Sequence, residues 1–351
     1  MNKVKHPLKL LGLITDFISL LCLNSFFNFL IILMHSHYRV LKQLSHQKFN
    51  SGEKIGKICQ VTKAMVWKSV EKLRKLGIDV IAVNGRGYKL AQNIILLDSN
   101  EILSHIHNVK LDCLNVSLSE TSTNSVLLEQ KNTGQLNALI TEHQSSGRGR
   151  RGKVWVSPIA KNIYMSLCTS SEELTPAHGS LSIQTGLAVA GVLKQYIPNI
   201  QLKWPNDLWV NQHKIGGILV DVKVQANGDF KIVFGLGLNV NVLTALEKVD
   251  QPWTSICQLL GQEINRNILA AQLIDVCGQC LINPSPDFSR WDEFDALKSS
   301  TVNVFTASDK KPSCFGEALG INSLGNLLVQ VEGESSVREL TGGEVSIRVK
   351  Q

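Results

Sequence analysis

The sequence predicts an α+β protein of several domains: a winged helix-turn-helix first, a mixed α/β domain in the middle and a small β-barrel last. Three observations carry this prediction. At 351 residues the chain exceeds what one ordinary core serves. Its hydrophobic period is helical up to about residue 76, alternates between strand and helix from 98 to 299, and turns to short strands from about residue 300. Its charge is lopsided: residues 1–97 hold 15 Lys/Arg against 4 Asp/Glu, whereas residues 98–351 hold 21 against 25. The expected division is an extension over 1–36, a winged domain over 37–97, a catalytic domain over 98–299 and a barrel over 300–351. An apolar content of 44% with 19% charged residues excludes a disordered chain.

The first 36 residues stand apart. Phe17 to Leu33 is free of charged residues and mostly apolar, behind Lys3, Lys5 and Lys9. This reads as a membrane anchor, as an uncleaved signal-like helix, or as a stretch upstream of the working protein. The third reading, with initiation at Met34, is preferred and implies a cytoplasmic protein with no membrane contact.

From residue 38 the pattern is that of three helices and a hairpin. The first helix spans about 38–45. Ser51 caps the second, and the third covers about 62–76, with Val66, Val70 and Leu73 at inward spacing. Lys63, Lys68, Ser69, Lys72 and Lys75 are then expected outward. Gly77 ends the helix, and residues 78–83 with 88–90 form a hairpin around Asn84-Gly85-Arg86-Gly87, placing Arg86 at its tip. Residues 37–97 carry 12 Lys/Arg against 3 Asp/Glu, so the reading is a DNA-binding domain contacting DNA through Lys63, Lys68, Ser69, Lys72 and Arg86.

The middle of the chain is organised around Gln144-Ser145-Ser146-Gly147-Arg148-Gly149-Arg150-Arg151-Gly152-Lys153-Val154-Trp155. Three glycines let backbone amides approach an anion, and four cations supply charge. The glycine spacing matches a dinucleotide fingerprint, but residues 153–158 read as a second strand stopped by Pro158, where a helix would be required. Downstream stand Lys203-Trp204-Pro205-Asn206-Asp207-Leu208-Trp209-Val210 and His213-Lys214-Ile215-Gly216-Gly217-Ile218-Leu219-Val220-Asp221. The 8 cysteines show no disulfide framework; Cys277 and Cys280 fall in a helical apolar pattern without a second pair at zinc spacing, and read as helix-packing residues.

These motifs together resemble the biotin protein ligase family in its bifunctional bacterial form, over about residues 38–348. The resemblance implies a class II synthetase-like central domain and an SH3-like C-terminal barrel. It also implies an ATP-dependent ligase that makes biotinyl-5′-adenylate, transfers biotin to a lysine of a biotin carboxyl carrier protein, and acts as a repressor on operator DNA, dimeric when the adenylate is bound. Catalysis would rest on Arg150, Lys214 and Asp207. Biotin would be held by Ser122, Thr123, Asn124, Gln144, Gly147, Arg148, Arg150, Lys214 and Gly217, and ATP by Arg150, Arg151, Trp155, Asn206 and Asn239, with magnesium at Asp207. Without the motifs, Ser122-Thr123-Asn124 reads as an ordinary helix cap. Two alternatives stay open: a ligase for another acyl group such as lipoate, and a biotin-sensing regulator without catalysis. Gly216 stands where alanine is frequent in the family, Asp221 where glutamate is.

Overall fold

The computed structural model describes residues 36–130, 135–243, 249, 251–306, 311–342 and 345–349. The apolar stretch 17–33 and Met34 lie outside the described residues. The chain divides into two compact units, Met1–Ile94 and Ile95–Gln351.

In the first unit, α1 (36–42), α2 (Gly52–Cys59) and α3 (Lys63–Lys75) precede the hairpin β1 (Val80–Val83) and β2 (Gly87–Leu90). Ser51 and Thr62 cap α2 and α3 by accepting from the amides of Lys54 and Met65. Val66, Val70 and Leu73 are fully buried. The Arg74 guanidinium donates to the Val80 carbonyl at 2.6 and 3.0 Å, fastening α3 to the hairpin. At Gly87, φ is +100° and a Cβ would lie 2.2 Å from the Asn50 carbonyl oxygen, so glycine lets the hairpin close on the Asn50 bridge to Tyr88.

One expectation fails in this unit. Ser69 is buried, 1% exposed, and its hydroxyl meets His37 Nδ1 at 3.0 Å. On the helix circumference it lies next to Leu73, at the edge of the inward stripe, and the contact with His37 puts it on the buried side. Lys63, Lys68, Lys72 and Arg86 are exposed as expected.

The second unit is built on a seven-stranded sheet, in the order β3-β4-β5-β9-β8-β7-β6. The strands are β3 (Cys113–Ser117), β4 (Asn137–Thr141), β5 (Ile163–Ser171), β6 (Gln201–Lys203), β7 (Asp207–Val210), β8 (His213–Val224) and β9 (Phe230–Leu238). Only β3 and β4 pair in parallel. The period of two sorts residues by face. Met165, Leu167, Phe234, Leu236 and Ile218 enter the large core with α7 (Leu181–Leu193) and α9 (Arg266–Ile282). Leu139, Cys168 and Val233 face the other way and pack against Leu127 of α5 (Thr123–Glu129). That second face carries Gly217, Gly235 and Gly237, paired across strands as Gly217 with Gly237 and Leu219 with Gly235. Three missing side chains leave a bare floor beside α5.

The elements left are α4 (Ser99–Ser104), capped by Asp98, then α6 (Pro176–Gly179), α8 (Ile256–Leu260) and α10 (Trp291–Phe294). The last strands, β10 (Thr301–Thr306), β11 (Cys314–Ile321), β12 (Leu327–Val331), β13 (Val337–Leu340) and β14 (Val345–Val349), form an antiparallel sheet in the order β13-β12-β11-β10-β14. Its Val302, Val329 and Ile347 join the same core as the larger sheet. The Trp204 indole, 2% exposed, donates to the Gly325 carbonyl at 2.9 Å. The expected division at 300 therefore crosses one continuous core.

Buried charge organises the other end of the unit. Arg266 and Glu142 are 2% and 0% exposed and pair at 2.6 Å; Arg266 also donates to the carbonyls of Asn162 and Ile95, and Glu142 accepts from the amide of Leu97. Every member is satisfied, which such burial requires. Cys277 is fully buried and Cys280 half-buried on α9; burial pushes both thiols up, Cys280 to about 11. All described cysteines are free.

The strand expected over 153–158 is absent. Only Val154 bridges, to Arg148, and Arg150–Gly152 make a 3-10 turn with Arg151 at φ 56°. The glycine-arginine segment folds back on itself, which brings Trp155 down onto the glycine floor.

Candidate functional site

A cavity of about 400 Å³ opens on that floor, between α5, the glycine-arginine loop and the ends of β7 and β8. Ser122, Thr123, Asn124 and Gln144 form one end of it. Ser122 stands at the N-cap of α5 yet makes no side-chain capping bond, so the ordinary cap reading does not hold. Thr123 N–H donates to Gln144 Oε1 at 2.9 Å, and Gln144 Nε2 reaches Ser157 Oγ at 3.5 Å. This polar end is nearly buried.

The other end carries charge. Lys214 Nζ lies 2.7 Å from Asp207 Oδ1 and 5.6 Å from the Trp155 ring centroid. A bulge between Leu208 and Trp209, where β7 meets β8, turns Lys214 toward the face of Gly217 although the two are three residues apart. Arg150 donates to Asn206 Oδ1 at 3.1 Å and to the Gly342 carbonyl; burial lowers its guanidinium from the usual value, with Arg151 adding to the effect. Asn206 is held by the Ile218 carbonyl at 2.9 Å. Arg148, Arg151 and Lys153 complete a cationic rim. Such a ring, focused in a partly dry cleft, binds a polyanion and stabilises charge developing on it.

Trp155 lies flat against the sheet: a Cβ on Gly237 would come within 2.5 Å of its ring, and one on Gly217 within 3.5 Å. Its indole N–H is buried without a partner among the described residues, against Gly237. Gly147 does not line the cavity. It is a close-approach position, since a Cβ there would meet the Trp155 carbonyl oxygen at 2.5 Å. Asn239 also stands outside the main cavity: Asn162 donates to its side-chain oxygen, its amide nitrogen donates to the Thr254 carbonyl, and it faces a smaller cavity of about 40 Å³ shared with Trp155 and Lys214.

Asp207 is a single carboxylate among cations. Among the described residues no group of three or more His, Cys, Asp or Glu is placed to hold a metal ion. This donor set does not make a resident magnesium site. It suits an ion that arrives already held by phosphates.

Several site residues were not singled out from the sequence. Val345, at the start of β14, lines the cavity, and Gly342 supplies a carbonyl to Arg150; both are remote in sequence and carry no local pattern. Asp221 pairs with Arg148 at 2.8 Å, and its place in the same motif as Gly216-Gly217, on β8, was the available signal. Lys203 does not line the cavity but stands beside Asp207, 4.2 Å from the Trp209 ring centroid, and burial pushes it down to about 8.

Fold and site together define an anion-binding α/β domain with a polar ligand pocket, joined in one chain to a winged helix. A family model described as Biotin/lipoate A/B protein ligase family matches residues 116–239, and an HTH domain model matches 37–89. The chain is 33% identical over 320 residues to the bifunctional ligase/repressor BirA of Escherichia coli (strain K12), covering 88% of this chain and 96% of the relative. Identity to the same-named protein of Bacillus subtilis (strain 168) is 25% over 319 residues, covering 86% and 94%. Among solved structures, the biotin protein ligase from Aquifex aeolicus in complex with biotin and ATP shares the fold, with a TM-score of 0.56 at 22% identity, covering 68% of this chain and 100% of that one. The chain belongs to the biotin protein ligase family, in its bifunctional ligase/repressor branch.

Proposed function

We propose that this protein joins biotin to ATP and passes the biotinyl group to a lysine of a biotin carboxyl carrier protein, and that its first unit represses transcription from operator DNA. The observation that carries the ligase reading is one cavity with a hydrogen-bonding end at Ser122, Thr123 and Gln144 and a charged end where Arg150 and Lys214 stand with the Asp207 carboxylate. Biotin needs both, because its ureido head donates and accepts hydrogen bonds while its carboxylate must meet a phosphate. The carboxylate oxygen attacks the α-phosphorus, and pyrophosphate leaves. The lysine amine of the carrier then attacks the acyl carbon, and AMP leaves. Arg150 and Lys214 hold the anions together and stabilise the charge on the phosphoryl centre. Magnesium accompanies ATP. Arg151, Trp155 and Asn206 serve the nucleotide, with Asn239 supporting Trp155 from behind.

In the first unit, α3 is the reading helix, with Lys63, Lys68 and Lys72 outward and Arg86 on the wing. One such helix reads one half-site, so the DNA-binding form is a symmetric dimer that the adenylate promotes. The functional division is 37–97 for DNA, 98–299 for chemistry and 300–351 for an SH3-like cap, whose curvature is supported by the bulge between Ala318 and Gly320. Among the described residues no helix is long and apolar enough to cross a membrane, and the working compartment we propose is the cytoplasm.

The test is incubation with ATP, magnesium and either biotin or lipoate, followed by mass detection of the adenylate, with a gel shift on operator DNA with and without biotin plus ATP. Biotinyl-adenylate, and operator binding that tightens with it, is the expected result. Lipoyl-adenylate alone would replace the ligase reading, and operator binding without adenylate synthesis would leave a regulator.

A further inference from the structure

Asp221 stands on β8 four residues beyond Gly217. Its Oδ2 accepts from two donors of different origin: Arg148 Nη2 at 2.8 Å, from the glycine-arginine loop, and Asn124 Nδ2 at 3.0 Å, from α5. From Asn124 the network runs inward. Ser166 Oγ lies 2.6 Å from Asn124 Oδ1 and 2.7 Å from Thr123 Oγ1, and Thr123 Oγ1 lies 3.3 Å from Gln144 Oε1. Gly235 makes the room, since a Cβ there would fall 2.0 Å from Asn124 Oδ1.

The carboxylate gives this network a direction. It only accepts, so Asn124 must aim its amide nitrogen at Asp221, where the Leu219 carbonyl also accepts at 3.2 Å. The Asn124 oxygen is thereby turned to Ser166, whose one proton goes to it. Ser166 in turn accepts from Thr123 at 2.7 Å, so the Thr123 proton is withheld from Gln144 Oε1 at 3.3 Å and the Thr123 oxygen, on the cavity wall, is left as an acceptor. An acceptor so placed recognises a ligand N–H.

We infer that Asp221 is a positioning residue that sets the donor and acceptor pattern of the ligand-head pocket and holds Arg148, the residue of the glycine-arginine loop nearest that pocket, against it. The site therefore selects a ring bearing N–H donors, such as a cyclic urea, over an apolar dithiolane ring. The inference rests on the ligase reading and deepens it. Asp221→Asn keeps an acceptor for Asn124 but turns an amide donor toward Arg148; Asp221→Leu removes both contacts; Asp221→Glu restores the charge one methylene further out.

The experiment uses the full chain and measures KM for biotin, KM for ATP, kcat, the half-life of bound adenylate and Tm. Loss of one charge-assisted hydrogen bond predicts that Asp221→Asn raises KM for biotin and the release rate of the adenylate by about tenfold. KM for ATP and kcat are expected to stay within about twofold, with partial recovery in Asp221→Glu. Asp221→Leu is expected to lower the preference for biotin over lipoate, as a ratio of kcat/KM, by about tenfold or more. Both KM values rising together in Asp221→Asn, or no change in either, overturns the inference. If the wild-type chain forms no adenylate with either acid, the ligase reading fails. Calorimetric titration with biotin alone then decides the inference separately: weaker binding by Asp221→Asn supports it, and equal binding overturns it.

Discussion

Lys203 shows how much one residue's neighbours matter. Burial is the largest cause of its depression to about 8; Asp207 opposes it, and Lys214, Lys153 and Arg348 push the same way as burial. An unfolded lysine keeps its proton to near 10.5. Between pH 8 and 10.5 the unfolded chain therefore binds more protons at this position, so this residue makes stability rise with pH across that window. Anion binding follows the opposite sign, because the folded site loses a positive charge as pH passes 8. KM for ATP is expected to climb between pH 7 and 9, and Lys203→Arg to flatten that climb in initial-rate measurements. The motif around residue 203 was legible in the sequence, but its proton affinity was not, since three of the perturbing groups come from distant segments.

At the scale of elements, the glycine floor of β8 and β9 decides where the arginine loop can go. Its parity follows from the strand period, and Gly217, Gly235 and Gly237 fall on one face because they stand opposite one another or one another's pocket-side neighbours in register. Gly237→Ala places a methyl within 2.5 Å of the Trp155 ring, which must then leave the sheet. The expected outcome is a shift in tryptophan emission and at least tenfold weaker ATP binding by titration, a loss on the order of one strong contact. Gly179→Ala, with nothing within 4 Å of the added methyl and no left-handed φ, is the control for glycine loss without a neighbour. The expected strand over 153–158 was wrong for a related reason. Its alternation was genuine, but with Trp155 drawn to the floor the segment bends away from any neighbouring strand and makes one bridge only.

At the largest scale, buried charge fastens the first residues of the second unit to its body. Arg266 donates to the Ile95 carbonyl and Glu142 accepts from the Leu97 amide, so the chain just after Ile94 belongs structurally to the second unit. A chain beginning at Ile94 is expected to lose operator binding and to keep adenylate synthesis. One beginning at Asp98 also leaves Arg266 and Glu142 short of partners in a dry site, which costs roughly 2 to 5 kcal/mol and lowers the urea midpoint. Equal midpoints for the two chains would remove this role from residues 95–97.

The sequence by itself determined the winged helix from its caps, its Val66-Val70-Leu73 stripe and its Asn84–Gly87 turn, because these are local signals read within one or two helical turns. It also marked out the glycine-arginine stretch and the Lys203 motif, both of which supply residues to the cavity. Only the tertiary structure decided that Ser69 faces inward, that Asn239 stands outside the main cavity, and that the terminal sheet shares the core and offers Gly342 to Arg150. Each of these depends on contacts between segments far apart in the chain: burial of Ser69 on His37, the Asn162 and Thr254 bonds of Asn239, and the return of residues 342–345 to the cavity. Local periodicity carries no record of such contacts, since they arise only when the separate faces are packed together.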